Sequence, residues 1–149
     1  MIEMSRSVED YLAALYRLVS EKGVARTQDL ARALGVAPAT VTKVMSRLAE
    51  RGLVVWEPYR GFRLTRRGLE IARRVVWRHR VCERFLSDVL GIDPSRVHGY
   101  AHLMEHLPDE IVERMDQLLG RPRSCPHGKP IPRDDEFFGD VSGDEAVTH

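Results

Sequence analysis

The spacing of apolar residues changes at Gly52, and this change constrains the fold more than any other feature of the sequence. Before Gly52, apolar side chains recur every three or four residues in SVEDYLAALYRL and PATVTKVMSRL, which predicts amphipathic helices. After it, LVVWEP and GFRLT flank a short polar tip, which predicts a two-stranded hairpin. The N-terminal part of the chain is therefore predicted to be a set of helices followed by a hairpin.

Turn and cap residues complete this pattern. Thr27 is a candidate cap for a short second helix, and Pro38 suits the first position of a third. Thr65 is predicted to cap a long exit helix that runs to Gly91. Helix, turn, helix and hairpin in this order form the winged helix-turn-helix pattern, whose second helix can enter a major groove. The predicted fold class is mainly α, with an N-terminal winged helix-turn-helix and a second, helical domain.

We predict three regions along the 149 residues. Residues 1–73 form the winged-helix domain and residues 74–133 the helical domain, with helices starting near Asp93 and Pro108 and an extended strap after them. Residues 134–149 are acidic and rich in Gly, which predicts a disordered tail.

The charge is distributed unevenly, although the formal net charge is only +1. Residues 1–90 contain 17 Lys and Arg against 10 Asp and Glu, whereas residues 91–149 contain 6 against 12. The basic part is therefore the candidate for a polyanionic partner.

No apolar run is long enough to cross a membrane or to act as a signal peptide, and we expect a cytoplasmic protein. The two cysteines, Cys82 and Cys125, suit a reducing compartment, although a disulfide between them stays open.

The helix that begins at Pro38 is the candidate DNA-reading helix. Burial of its apolar stripe would leave small and basic side chains facing outward, namely Ala39, Thr40, Thr42, Lys43, Ser46 and Arg47. Lys43 and Arg47 can donate to guanine or phosphate, and the methyl groups of Ala39 and Thr42 can contact thymine. Three further arginines are candidates for phosphate contacts with double-stranded DNA: Arg26, Arg60 and Arg63. The ordinary alternative is that these side chains are solvated surface.

The stretch HGYAHLMEH concentrates chelating side chains. His98, His102, Glu105 and His106 would lie along one stripe if this stretch were a continuous helix. Imidazoles and a carboxylate are ligands that Zn²⁺, Fe²⁺ or Mn²⁺ accepts. A single histidine here would more often be an ordinary core residue. The H-x-x-E-H spacing also occurs in metallohydrolases, where Glu105 would be the general base.

Two further pairs could contribute ligands. His79 and Glu83 lie one turn apart on the core-facing stripe of the exit helix. A buried carboxylate needs a partner, so we predict that this helix and the HGYAHLMEH helix face each other across a metal ion. Cys125 and His127, in SCPHGKPIP, are either ligands or plain loop residues.

These segments together resemble a known family. SVEDYLAALYRL, PATVTKVMSRL, LTRRG, RHRVCERFL, VHGYAHLMEH and CPHGKPIP are similar in order and spacing to the diphtheria-toxin-repressor family of metal-dependent transcriptional regulators, including its manganese-responsive MntR branch. The resemblance runs from about Ser7 to Pro132. It implies a homodimeric repressor of metal-uptake genes and not an enzyme, with residues 74–133 as a metal-binding and dimerisation domain. It also implies a short form without the SH3-like domain of many relatives.

The resemblance also implies the ligand sets. A primary site that joins the first helix to the metal-binding helix is matched by Asp10, His102, Glu105 and His106, and an ancillary site by His79, Glu83 and His98. Cys125 with His127 fits a variant that some members use. The implied cofactor is Mn²⁺ or Fe²⁺, with Zn²⁺ as an alternative. Asp10 has a second interpretation, because it lies three residues after Ser7 and could be the acid of a capping box. A purely structural metal is a further alternative.

Overall fold

A computed structural model describes residues 6–133 and shows two compact units, the first ending at Arg73 and the second beginning at Arg74. The predicted disordered tail, residues 134–149, lies outside the described residues. The elements in chain order are α1 (Arg6–Lys22), α2 (Thr27–Leu34), α3 (Pro38–Glu50), β1 (Val54–Glu57), β2 (Gly61–Leu64), α4 (Arg66–Asp88), α5 (Val97–Met104) and α6 (Asp109–Leu118). This order confirms the predicted fold class. Within residues 6–133, no helix is both long and apolar enough to span a bilayer.

The core of the first unit is built from the predicted apolar stripes. Leu12 and Leu15 of α1 are fully buried, as is Leu30 of α2. On α3, the buried side chains are Val41, Met45 and Leu48, while Val44 is only partly buried. The opposite surface of α3 is therefore left in solvent, because a helix can bury only one stripe against its neighbours.

The hairpin formed by β1 and β2, which we call the wing, is fixed to the loop between α1 and α2. Its strands pair antiparallel, from Val54 opposite Leu64 to Glu57 opposite Gly61. The backbone N–H of Phe62 donates to the carbonyl of Ala25 at 2.8 Å. A Cβ on Gly61 would lie 2.3 Å from the same carbonyl oxygen. The close backbone approach therefore requires glycine at position 61.

Thr65 caps α4, as predicted. Its hydroxyl donates to the Gly52 carbonyl at 2.7 Å and accepts from the backbone N–H of Gly68 at 3.1 Å. The hydroxyl thus satisfies one orphan donor of the helix start and one carbonyl from the end of α3. The helix ends at Asp88, so the prediction that it continues to Gly91 is wrong by three residues.

The start of α2 also differs from the prediction. Thr27 is the first residue of the helix and not its cap. Instead the carboxylate of Asp29 accepts from the backbone N–H of Arg26 at 3.0 Å and from the Arg32 guanidinium at 2.9 Å. An acidic side chain in the first turn is favourable because it faces the positive end of the helix dipole.

The second unit has its own core. The apolar side chains that pack together come from α4, α5, α6 and the C-terminal strap: Val81, Cys82, Leu86, Val97, Ala101, Val112, Met115 and Ile131. The helix expected near Asp93 begins at Val97 instead, because the Asp93 carboxylate accepts from both the N–H and the hydroxyl of Ser95 and holds a turn there.

The prediction that the strap is extended is wrong, because part of it forms a small hairpin. Ser124 bridges to Pro130 in antiparallel fashion, and the N–H of Cys125 donates to the carbonyl of Lys129 at 2.8 Å. The N–H of Ile131 donates to the carbonyl of Arg123 at 2.8 Å, which adds a further hydrogen bond to this pairing. This small hairpin turns Cys125 and His127 toward the rest of the second unit.

Asp29→Asn tests the cap of α2. The backbone N–H of Arg26, and after it the Arg32 side chain, lower the pKa of Asp29, although partial burial opposes them. A carboxyl with a lowered folded-state pKa stabilises the protein above its unfolded pKa of about 3.9, and this contribution is lost as pH falls through the folded-state value. We expect Asp29→Asn to reduce the free energy of unfolding by about 1 kcal/mol at pH 7, and by less below pH ~4. Urea unfolding at pH 7 and pH 3 measures the two reductions in the free energy of unfolding. Substitution of the exposed Glu50 by Gln is the control. Equal reductions at both pH values would contradict the role of the Asp29 carboxylate.

Candidate metal centre and nucleic-acid interface

Glu105 is the most deeply buried acid of the second unit. It follows the last residue of α5, and its side chain is only 1% exposed. The prediction of a single helical stripe from His98 to His106 is therefore wrong, because the helix ends at Met104. Pro108 explains this end, since a residue before proline is disfavoured in the α conformation. The turn directs Glu105 inward, whereas His102 stays more than half exposed.

The Glu105 carboxylate contacts three imidazoles. One oxygen lies 2.6 Å from Nδ1 of His79, and the other lies 3.1 Å from Nδ1 of His102 and 3.7 Å from Nε2 of His106. An ionised carboxylate only accepts hydrogen bonds, so Nδ1 of His79 carries the proton. In the neutral ring, Nε2 of His79 then keeps its lone pair, which is the form that binds a metal ion.

His79 also brings α4 and α5 together. Its Nε2 lies 3.1 Å from Nδ1 of His98 and 3.6 Å from the Glu83 carboxylate, and the two rings meet edge to face at a centroid distance of 4.7 Å. The candidate ligand atoms of His79, Glu83 and His98 all lie within 4.8 Å of one another. A single cation could therefore contact all three after small side-chain movements.

Glu83 provides the clearest test of whether the site fits a cation. Its Oε2 is buried and accepts no hydrogen bond from the described residues, although Nδ1 of His127 lies at 3.3 Å and Nδ1 of His98 at 3.7 Å. Burial would raise the pKa of Glu83, but the neighbouring imidazoles, that of His79 first, outweigh it and lower the pKa. An ionised, buried oxygen among imidazole nitrogens has the chemistry of a divalent metal ligand.

The strap adds a second donor group beside Glu83. Nε2 of His127 donates to the Pro94 carbonyl at 2.6 Å, which leaves Nδ1 as the free acceptor. That nitrogen faces Glu83 and lies 3.9 Å from the buried Sγ of Cys125. A ring nitrogen held by a backbone carbonyl is the usual way in which proteins orient a metal-binding histidine. The arrangement brings Cys125, His127 and Glu83 together, and sequence reasoning gave no signal for the Pro94 contact.

Cys82 does not belong to this donor group. Burial, followed by the nearby carboxylates of Glu105 and Glu83, raises the pKa of Cys82 to about 12. The thiol therefore stays protonated at neutral pH and is not a nucleophile there. Both cysteines are free, so the disulfide that the sequence left open is not formed.

The predicted DNA-reading surface is exposed on α3. All six outward positions lie in solvent: Ala39, Thr40, Thr42, Lys43, Ser46 and Arg47. The Thr42 hydroxyl donates back to the Pro38 carbonyl at 3.2 Å. The exposed cations can therefore approach a duplex without first breaking apolar packing.

The three additional arginines have different surroundings. Arg26 is exposed and donates to the Tyr59 carbonyl at 3.4 Å, and Arg60 is exposed with Glu57 at 3.9 Å. Arg63, by contrast, is only 17% exposed and lies 3.5 Å from Glu57. A phosphate contact by Arg63 stays a prediction.

Asp10 lies in the first unit, on α1, with a partly buried side chain. Ser7 is inside α1 and does not cap it, so the capping-box interpretation of Asp10 is wrong. Its role as a metal ligand stays a prediction.

Comparison with known sequences and structures identifies the family. Residues 3–62 match the family model described as "Iron dependent repressor, N-terminal DNA binding domain". Residues 65–133 match "Iron dependent repressor, metal binding and dimerisation domain". The chain belongs to the iron-dependent repressor family. The resemblance seen in the sequence is thereby confirmed, and so is the prediction that the chain is not an enzyme, because members of this family are transcriptional regulators.

Several solved structures are similar to most of this chain. IdeR of T. acidophilum is 33% identical, with a TM-score of 0.76 over 96% of this chain and 65% of its own. A manganese-dependent transcriptional repressor in complex with manganese is 32% identical, with a TM-score of 0.75 over 95% of this chain and 62% of its own. A hypothetical protein from Sulfolobus solfataricus is 32% identical, with a TM-score of 0.65 over 87% of this chain and all of its own. The chain thus spans about three-fifths of the length of the first two relatives.

The chemistry of Cys82 can be tested by alkylation. The raised pKa reduces its thiolate fraction at pH 8 roughly a thousandfold, and burial adds a steric block. We expect Cys82 to react with iodoacetamide only after unfolding in urea, as measured by peptide mass spectrometry. The variant Cys125→Ser makes Cys82 the sole thiol and simplifies the assay. Rapid modification of the folded variant would show that Cys82 is more acidic than the structure indicates.

Proposed function

We propose that this protein is a metal-dependent, DNA-binding transcriptional regulator that acts as a homodimeric repressor of metal-uptake genes, with a divalent cation as co-repressor. Its partner is double-stranded operator DNA. The observation that carries the proposal is the buried, unsatisfied Oε2 of Glu83, surrounded by imidazole nitrogens within the family's metal-binding domain. Such an oxygen is costly in a core unless a cation binds it.

The donors divide into two groups, each with one buried carboxylate. His102, Glu105 and His106 form the first group, to which the family resemblance adds Asp10. His79, Glu83 and His98 form the second, to which the strap adds Cys125 and His127. Both groups supply nitrogen and oxygen, the set that suits Mn²⁺ or Fe²⁺, while the one thiol keeps Zn²⁺ as an alternative.

Glu105 links the two groups. One of its oxygens holds His79 of the second group, and the other faces His102 and His106 of the first. A cation at the first group would withdraw electron density from the Glu105 carboxylate. The hydrogen bond from Nδ1 of His79 to this carboxylate would then be weaker, and the orientation of His79 in the second group would change. A bound divalent ion supplies positive charge at these donors, and the protein supplies their orientation.

Metal can regulate DNA binding only if it binds the DNA-competent state more tightly than the other. By linkage, operator DNA then raises metal affinity by the same factor. Histidines must release protons to coordinate, so metal affinity should fall below about pH 6. If the ion were purely structural, chelation would unfold the second unit without a separate change in DNA affinity.

A titration tests the proposal directly. Duplexes are selected from a random pool with the protein and Mn²⁺, and their affinity is then measured by gel shift with Mn²⁺, Fe²⁺, Co²⁺ and Zn²⁺ under reducing conditions. We expect at least one ion to raise affinity about 5–150-fold, the usual range of allosteric coupling, and chelator to reverse it. Affinity that is independent of added metal and of chelator would contradict a co-repressor role.

Glu105→Ala tests the metal centre. The substitution removes the carboxylate that orients His79, so we expect the metal response to disappear while weak, salt-sensitive DNA binding persists. Glu105→Gln keeps the side-chain volume and separates this effect from loss of folding, which circular dichroism monitors. Glu113→Ala, an exposed acid on α6, is the matched control. A normal metal response in both Glu105 variants would overturn the assignment of Glu105.

Lys43→Ala tests the reading helix separately. Lys43 is exposed on α3, in the first unit, and is not among the candidate metal ligands. We expect weaker DNA binding, and the slope of log affinity against log salt concentration should become smaller by about one. Metal affinity in the absence of DNA should not change. Calorimetry of metal binding and gel shifts at several salt concentrations measure the two effects. An unaltered DNA affinity would remove Lys43 from the interface.

A further inference from the structure

We propose that the buried ion pair between Asp116 and Arg133 positions the strap, residues 121–133, so that its donor side chains meet Glu83. This inference rests on the proposed metal-binding function and adds two positioning residues to the second donor group. Neither residue makes a polar contact with a candidate ligand among residues 6–133. Their effect on a bound ion would therefore reach the site only through the backbone of the strap.

The pair is buried and doubly hydrogen-bonded. Asp116, on α6, is only 2% exposed, and the Arg133 guanidinium donates to both of its carboxylate oxygens, to Oδ1 at 3.0 Å. The indole N–H of Trp77, on α4, donates to the same carboxylate at 3.3 Å. A guanidinium that forms two parallel bonds with a carboxylate is fixed in direction as well as in position. The end of the strap is therefore held at α6 and α4 in one orientation.

Arg133 also joins the two ends of the strap. The nitrogen that donates to Oδ1 of Asp116 donates as well to the Pro122 carbonyl, at 2.5 Å. At the other end, the backbone N–H of Arg121 donates to the backbone carbonyl of Asp116 at 2.9 Å. Asp116 thus holds the first residue of the strap by its main chain and the last by its side chain. Because both ends are fixed at one point, the strap is a closed loop with fewer conformations open to its middle.

The middle of this loop carries the strap donors. Cys125 belongs to the small hairpin, where its N–H donates to the Lys129 carbonyl at 2.8 Å. His127 lies at the turn of the hairpin, with Nδ1 at 3.3 Å from the Glu83 carboxylate. Bonds from zinc to nitrogen or sulfur are about 2.0–2.3 Å long, and a working site keeps them within about 0.2 Å. A small tilt of the hairpin base would therefore move His127 out of bonding distance of an ion beside Glu83.

Other contacts hold the strap independently of this pair. The guanidinium of Arg80, on α4, donates to the Pro130 carbonyl, and Nε2 of His127 donates to the Pro94 carbonyl at 2.6 Å. These contacts keep the strap near α4 when its base is open. Loss of a group that orients a metal ligand typically lowers metal affinity about 10–100-fold. We therefore expect a weakened site, not a lost one, when Arg133 is replaced.

Arg133→Ala tests the proposal. Zn²⁺ binding to the full chain is measured by calorimetry with a competing chelator under reducing conditions. We expect affinity to fall about 10–100-fold for the ion whose binding His127→Ala also weakens. Arg123→Ala removes an exposed cation from the same strap and is the matched control, which should keep its affinity. Asp116→Asn combined with Arg133→Ala leaves no unpaired charge in the core and should show the same fall, while circular dichroism monitors folding.

A combined variant separates positioning from general destabilisation. If Arg133 acts through the strap donors, Arg133→Ala should cause no further loss of Zn²⁺ affinity in a His127→Ala background. Hydrogen exchange should also become faster at the N–H groups of Cys125 and Ile131 in Arg133→Ala, while the amides of α4 keep their protection. Additive losses in the combined variant, or unchanged Zn²⁺ affinity in either single variant, would overturn the proposal even if Glu105→Ala still abolishes the metal response. If the unsubstituted protein binds neither Zn²⁺ nor Mn²⁺, both this inference and the proposed function fail.

Discussion

The buried carboxylate of Glu105 is the group on which the second unit depends. Removing a charge from water costs several kcal/mol unless partners compensate, and here the N–H of His79 at 2.6 Å and the ring of His102 at 3.1 Å do so. Loss of one partner from such a buried pair typically costs about 3–5 kcal/mol. The candidate metal ligands are therefore also structural residues, because the same polar contacts that would position an ion hold α4 against the turn after α5.

Local signals made much of the fold predictable. The 3.6-residue period identified the exposed and buried sides of α3, and the Thr65 hydroxyl caps α4 as its position indicated. The candidate site was less accessible. A local signal at Pro108 could have ended the helix before Glu105, but periodicity was extended through it. The contact of His127 with Pro94, by contrast, joins residues 33 positions apart, and only the folded second unit brings them together.

The two units use polar side chains in opposite ways. In the first, exposed cations such as Lys43 and Arg47 keep their hydration and can exchange it for phosphate contacts at low cost. In the second, Glu83 and Glu105 have lost their hydration and depend on fixed imidazoles. Mixed nitrogen, oxygen and sulfur donors discriminate poorly among first-row metals, since affinity follows a common order across them. Selectivity then depends on geometry and on the ions that the cell supplies.

The contact between Gly61 and the Ala25 carbonyl has a consequence for how such a protein can diversify. A side chain at position 61 would collide with backbone atoms, which cannot rotate away as a neighbouring side chain could. The position of the wing against the α1–α2 loop therefore depends on a glycine at position 61. By contrast, the side chain of Arg60 and the outward side chains of α3 are exposed and can vary without a collision of this kind.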